Sequence, residues 1–236
     1  MFNFMRQLSA RLTTMDSSYQ APSASDMARL RFYQKEAQRD VLNVPFQKLP
    51  IVVFDLETSG FNPDQGDSIL SIGAVKVTGS EVHDEHFYHT VKPKKEPSQA
   101  ILDLTGLTMR ELNQSASISE VLLAFYEFAK SATLVAHHAA HERAFMRHLT
   151  WQELGRTFTH RLVDTSFLTS ITAQHLEHFE TLDEWCAEYE IPMSHRHHAL
   201  ADARMTANLW TKHITMAEHS GFTCLADIYK ELATRK

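Results

Sequence analysis

Hydrophobic and polar positions change their texture near residue 50. Before it, MFNFMRQLSARL forms an amphipathic, Arg-bearing stretch, SSYQAPSAS is a Ser/Pro-containing linker, and DMARLRFYQKEAQRDVL carries Leu30, Tyr33 and Ala37 at helical spacing. Residues 1–49 are therefore expected to form a helical N-terminal extension, with a main domain over residues 50–236. From Ile51 the pattern turns to short apolar, β-branched runs: IVVFDLE, then SILSIGAVKV after a Gly/Asn/Pro/Asp turn, then VHDEHFYHTV. Turns this short leave no room for a crossover helix, so the three strands should form an antiparallel meander. ISEVLLAFYEFA then puts Ile118, Val121, Leu122, Phe125 and Phe128 on one helical face. A buried strand (TLVAHH), a helix (HERAFMRHL), a strand (RLVDT) and two further helices (TLDEWCAEY, ALADARMTANLWTKHI) follow. A meander followed by alternating helix and strand describes an α/β domain with a mixed sheet covered by helices.

Composition narrows the function classes. With 43% hydrophobic and 22% charged residues over 236 positions, the chain can bury a sizeable core. Lys plus Arg number 23 against 29 for Asp plus Glu, and this net charge of −6 argues against coating nucleic acid through bulk positive charge. Gripping only a strand end stays compatible with it. Cys186 and Cys224 are too few for a disulfide framework and lack metal-site spacing, so both are expected in the core of a cytoplasmic protein. No apolar run is long enough for a membrane helix, and no membrane partner is expected.

The informative residues are acids that interrupt apolar runs. Asp55 and Glu57 stand two apart at the end of a strand and so project from one face. Side by side, such like charges call for a positive partner, and a divalent metal is an economical one; a strand running into a solvated loop is the alternative. Asp202 lies near the start of a helix among Ala199, Leu200, Ala201, Ala203 and Met205, poor surroundings for an unpaired charge. His197 precedes it by five residues, a step of roughly 140° on a helix, which puts the histidine on the loop before it.

FDLETSG, LVAHHAAHERAF and HHALADA together resemble the three motifs of the DnaQ-like DEDDh 3′–5′ exonucleases, the family that includes the proofreading epsilon subunit of bacterial DNA polymerase III. The likeness runs from residue 51 to about residue 215. It implies a ribonuclease H-like fold, with Asp55, Glu57, Glu142 and Asp202 holding two divalent ions, Mg or Mn, and His197 as general base. Asp55 would bridge the ions. LTGLT at residues 104–108 resembles a segment bordering the terminal nucleotide. The second motif departs from the usual H-N-A-x-F-D: His138 replaces the Asn, His141 the Phe and Glu142 the Asp. A glutamate carries its carboxylate one methylene further out, and a neighbouring histidine in the metal shell would shift the preference toward Mn or Zn.

Leu56, Thr58, Leu107, His138 and Phe145 are candidate contacts to the terminal nucleotide, Leu107 and Phe145 being equally suited to the core. Asp164 is expected to cap a helix, Lys92, Lys94 and Lys95 can guide a strand, and His175, His178, His195 and His213 are expected at the surface. The resemblance implies metal-dependent release of nucleoside monophosphates from single-stranded 3′ ends, DNA more than RNA. Two alternatives stay open: an exoribonuclease, and a degenerate, non-catalytic module that binds nucleic acid or a replication partner. Residues 1–49 are the candidate docking arm for a DNA polymerase or other replication partner.

Overall fold

A computed structural model describes residues 22–173 and 179–235 of the chain. The predicted first helix, residues 1–12, and His175 and His178 lie outside the described residues. Five strands form one sheet in the order β3-β2-β1-β4-β5: β1 (Pro50–Thr58), β2 (Ile69–Thr78), β3 (Glu81–Thr90), β4 (Thr133–Ala136) and β5 (Leu162–Asp164). β1, β2 and β3 pair antiparallel, while β4 runs parallel to both β1 and β5, the mixed sheet that the sequence predicts.

Alternation along β1 feeds two cores. Val52, Phe54 and Leu56 join a cluster closed by Val121, Leu122 and Phe125 of α4 (Ile118–Ala129) and Phe145, Met146 and Leu149 of α5 (Ala140–Leu154). On the opposite face Ile51 and Val53 pack with Ala207, Trp210 and Ile214 of α8 (Ala199–His219). Asp55 and Glu57 continue that second row, so α8 covers both the apolar start of β1 and its acidic end. Parallel pairing sets the C-terminal end of β4 beside the middle of β1, with Val53 opposite Val135, and the chain then enters α5.

The first described helix, α1 (Ala24–Glu36), is capped by Ser23 and stops short of the predicted end at residue 42. Leu30 is buried in the first core, the Gln34 side chain donates to the Thr157 carbonyl at 2.8 Å, and Phe46 and Leu49 belong to the second core. Helices α2 (Gln99–Thr105), α3 (Met109–Gln114), α6 (Ser166–Thr172) and α9 (Leu225–Thr234) are additions to the predicted pattern. The first three run six or seven residues, too short to show a period, and α2 and α3 start on the capping hydroxyls of Ser98 and Thr108. Helix α7 (Leu182–Glu188) starts on a capping box between Thr181 and Glu184. Cys186 and Cys224 are free and buried, and no described helix is long and apolar enough to cross a membrane.

Gly73 sets how closely α8 approaches the sheet. It pairs with Asp55 across β1 and β2, and a Cβ there would lie 2.2 Å from the Ala199 carbonyl carbon and the Leu200 nitrogen. Backbone on both sides leaves nothing to yield. Gly73→Ala is expected to destabilise the protein by about 1–3 kcal/mol, read as a lowered denaturation midpoint at unchanged m. An unaltered midpoint would show that the helix start can lift away without cost.

Candidate active site

The C-terminal end of β1 presents a cluster of carboxylates. Asp55, Glu57 and Asp202 each place a ligand oxygen within 4.8 Å of the others. Strand spacing aligns the first two, and the contact of α8 with β1 and β2 delivers the third from the fourth residue of that helix. Glu142, in the first turn of α5, is 4% exposed and stands outside this trio, yet close enough for its charge to act on Asp55.

Burial followed by mutual repulsion dominates the electrostatics. Desolvation, then the charges of Glu142, Glu57 and Asp202, hold the Asp55 carboxyl well above the usual carboxylate range. Desolvation and Asp202 push Glu57 up to about 7, and desolvation with Asp164 and Glu57 pushes Glu142 up to about 8. Asp202 Oδ1 and Glu142 Oε2 are buried without a hydrogen-bond partner. Ionised carboxylates only accept, so these two atoms need a proton or a cation, and an all-oxygen donor set suits a hard divalent ion.

Arg196 is the residue that sequence reasoning missed. Its Nη1 donates to Asp202 Oδ2 and its Nε to Asp183 Oδ1 on α7, and its charge opposes the upward shifts of Asp55 and Glu57. The available signal was a single arginine within MSHRHHALADA, hidden among histidines. His197 follows it on the loop, with φ +62°, and its N–H donates to Asp202 Oδ2 at 3.1 Å. His198, the N-cap of α8, stacks on Tyr88 of β3 with ring centroids 4.4 Å apart, fixing this end of the loop to the sheet.

The second motif sits on the turn from β4 to α5. Asp164 braces it: Oδ2 accepts the Ala139 N–H at 2.7 Å while Oδ1 accepts the Ser166 N–H at 2.9 Å, and the N-cap position of α6 itself is Thr165. His137, which pairs with the Thr165 hydroxyl at 2.8 Å, is held down to about 4, first by desolvation and then by His138. His138 is exposed at φ +55° and bonds the Glu180 carbonyl. His141 lies 3.3 Å from the Thr58 hydroxyl, which itself donates to the Gly60 carbonyl at 2.7 Å. Phe61, 82% exposed, meets the His141 ring edge-on at 5.8 Å and is a second rim residue the sequence reading passed over.

Several of the residues singled out in the sequence have buried or engaged side chains. The Leu56 and Phe145 side chains lie in the first core, and Leu107 lies in a smaller one with Leu70, Leu102 and Leu112, the core placement that the sequence left open for Leu107 and Phe145. Alternation turns Leu56 away from Asp55, and Phe145 points inward one helical turn beyond His141. His213 is buried, not at the surface, bonding the Thr172 hydroxyl at 2.6 Å. Lys94 is committed to Glu153 at 2.6 Å.

These shifts fix a pH response for the protein without metal. Glu57 and Glu142 keep protons that the unfolded chain releases above about 4.5, so stability falls as pH rises through 7 and 8. His137 and His213, held to about 4 against 6.5 for a free histidine, act oppositely and cost stability as pH drops below 6.5. Between about pH 4.5 and 6.5 the two pairs oppose each other and above 6.5 the glutamates act alone, so the melting temperature in EDTA should fall between pH 6.5 and 8, and Glu142→Gln should flatten that fall. A melting temperature that climbs between pH 7 and 8.5 would contradict the assignment.

Similarity to known proteins agrees with this geometry. A DNA polymerase III PolC-type protein of Thermotoga petrophila is 33% identical over 184 residues, 78% of this chain and 13% of that protein. A DNA polymerase III subunit epsilon-like protein of Rhodobacter capsulatus is 33% identical over 193 residues, 80% of this chain and 27% of that protein. The chain thus spans between about an eighth and a quarter of these relatives' length. Exonuclease X in complex with 5′ overhanging duplex DNA superposes with a TM-score of 0.58 at 22% identity, over 75% of this chain and 98% of that one, which establishes a ribonuclease H-like fold. The signature of the exonuclease family RNase_T matches residues 52–210, two thirds of the chain, and the protein belongs to that family.

Proposed function

We propose that the protein is a metal-dependent 3′-to-5′ exonuclease of the DEDDh type that releases nucleoside monophosphates from single-stranded DNA ends. The observation that carries this is the meeting of Asp55, Glu57 and Asp202 within 4.8 Å, with Glu142 adjacent and His197 on the loop beside them. Asp55, Glu57, Glu142 and Asp202 would hold two divalent ions, Mg or Mn, which when bound neutralise the phosphate and acidify the attacking water. Asp55 would be the central ligand of this set, since the charges of Glu142, Glu57 and Asp202 all act on it.

His197 is the general base in this reading. Its ring makes no hydrogen bond among the described residues, and its backbone is pinned to Asp202, so the imidazole can turn to take a proton while the loop stays in place. Thr58, His138, His141 and Phe61 are the proposed contacts for the terminal nucleotides, Phe61 by stacking on a base, a reading supported by the mutual contact of Thr58, His141 and Phe61 next to Glu57. The names of the relatives favour DNA over RNA and a link to a polymerase. We place the exonuclease unit at residues 50–236 and assign partner docking to residues 1–49, excepting Leu30, Phe46 and Leu49, which the core already buries. Action in the cytoplasm is part of this proposal, supported by relatives named as DNA polymerase III proteins.

The test is degradation of 3′-labelled and 5′-labelled single-stranded DNA, with matched RNA, in EDTA, Mg and Mn. Stepwise shortening from the 3′ end is expected in either metal and none in EDTA. Asp55→Ala should reduce cleavage to background, and His197→Ala should slow it about 10²–10⁴-fold while strand binding persists. Glu142→Asp should change the ratio of Mg-supported to Mn-supported rates, because it withdraws the carboxylate by one methylene. Faster loss of matched RNA would move the substrate to RNA. Retained strand binding with no cleavage in either metal would leave only a binding module on an exonuclease fold.

A further inference from the structure

Asp202 divides its two oxygens between different tasks. Oδ2 accepts from Arg196 Nη1 and from the His197 N–H, whereas Oδ1 is buried and has no partner. The same guanidinium donates through Nε to Asp183 Oδ1, a half-exposed carboxylate in the first turn of α7. An arginine fork fixes direction as well as charge, since its N–H groups lie in one plane at set angles.

We propose that Arg196 is a positioning residue for the carboxylate centre, a clamp running Asp183–Arg196–Asp202 that aims Asp202 Oδ1 at the ion and sets the loop bearing His197. This rests on the metal-binding reading given above. The clamp ties the first turn of α7 to Asp202 in the first turn of α8, two helices that also pack through Trp185, Cys186, Met205 and Leu209. Asp183 has no place in the trio of ligand carboxylates, so an effect of its removal on metal binding that vanishes once Arg196 is replaced is one that travels through Arg196. A guanidinium that merely occupied the ion's place would act in the opposite direction, weakening the wild-type site for metal.

Calorimetric titration of the full chain with Mn alone, without nucleic acid, separates these possibilities. Arg196→Gln and Arg196→Lys are both expected to weaken Mn binding about 10–100-fold, the usual cost of losing a group that orients a ligand. Lysine keeps the charge and loses the fork. Asp183→Ala should weaken binding in the same direction, and adding it to Arg196→Gln should produce no further loss. Circular dichroism melts of each variant verify that it is folded. Tighter Mn binding by Arg196→Gln would mean that the guanidinium competes with the ion; full rescue by Arg196→Lys would mean that charge alone matters; an unchanged affinity in Asp183→Ala would break the chain. Each of these overturns the clamp. Glu57→Gln is the reference for the underlying reading: wild type that binds no Mn, or binds it as Glu57→Gln does, would overturn the metal centre itself, and the clamp with it.

Discussion

Repulsion among Asp55, Glu57, Glu142 and Asp202 is what the surrounding structure has to contain. Four acids gathered at one strand end would separate if each sat on its own loop. Here one pair is fixed by strand alternation, and the others ride on helices whose apolar faces are already committed to the two cores. Burial on either side of the sheet holds the charges together, and the raised affinity of Glu57 and Glu142 for protons is the visible trace of that cost.

Helix α8 shows the two functions merged in one element. Ala207, Trp210 and Ile214 bury the helix against Ile51 and Val53, and Asp202, less than two turns before Ala207, meets the acids that follow them in β1. Gly73 permits this contact because there is no Cβ between the backbones. The same strand face is thus hydrophobic where stability is made and acidic where the carboxylates gather.

The strands, the two core helices and the trio of acids could be read from the sequence because each rests on a local period or on an interruption of one. Asp55 and Glu57 break an apolar alternation; Asp202 breaks an apolar helical face. What escaped is set by tertiary contact. Leu107 and Phe145 look equally apt for a core or a nucleotide until the packing of Leu70, Leu102 and Leu112, or of α4 and α5, settles their surroundings. His213 reads as one polar residue among many, and only the Thr172 hydroxyl across the interface shows why it can be buried. Arg196 carries no local pattern at all, since both of its partners belong to helices and one lies 13 residues away.

The outermost strands bear on how the molecule behaves in a crowded solution. A sheet that ends in a long, flat, apolar strand offers its open backbone groups to any other chain. On one side this sheet ends in β5, three residues long, too brief to template a neighbour. On the other it ends in β3, where His83, Asp84, Glu85 and His86 stand in succession and Lys76 of β2 pairs with Glu85 at 2.6 Å. A foreign strand docking along β3 would have to desolvate those charges, so the borders of the sheet favour a free-standing molecule over edge-to-edge aggregation.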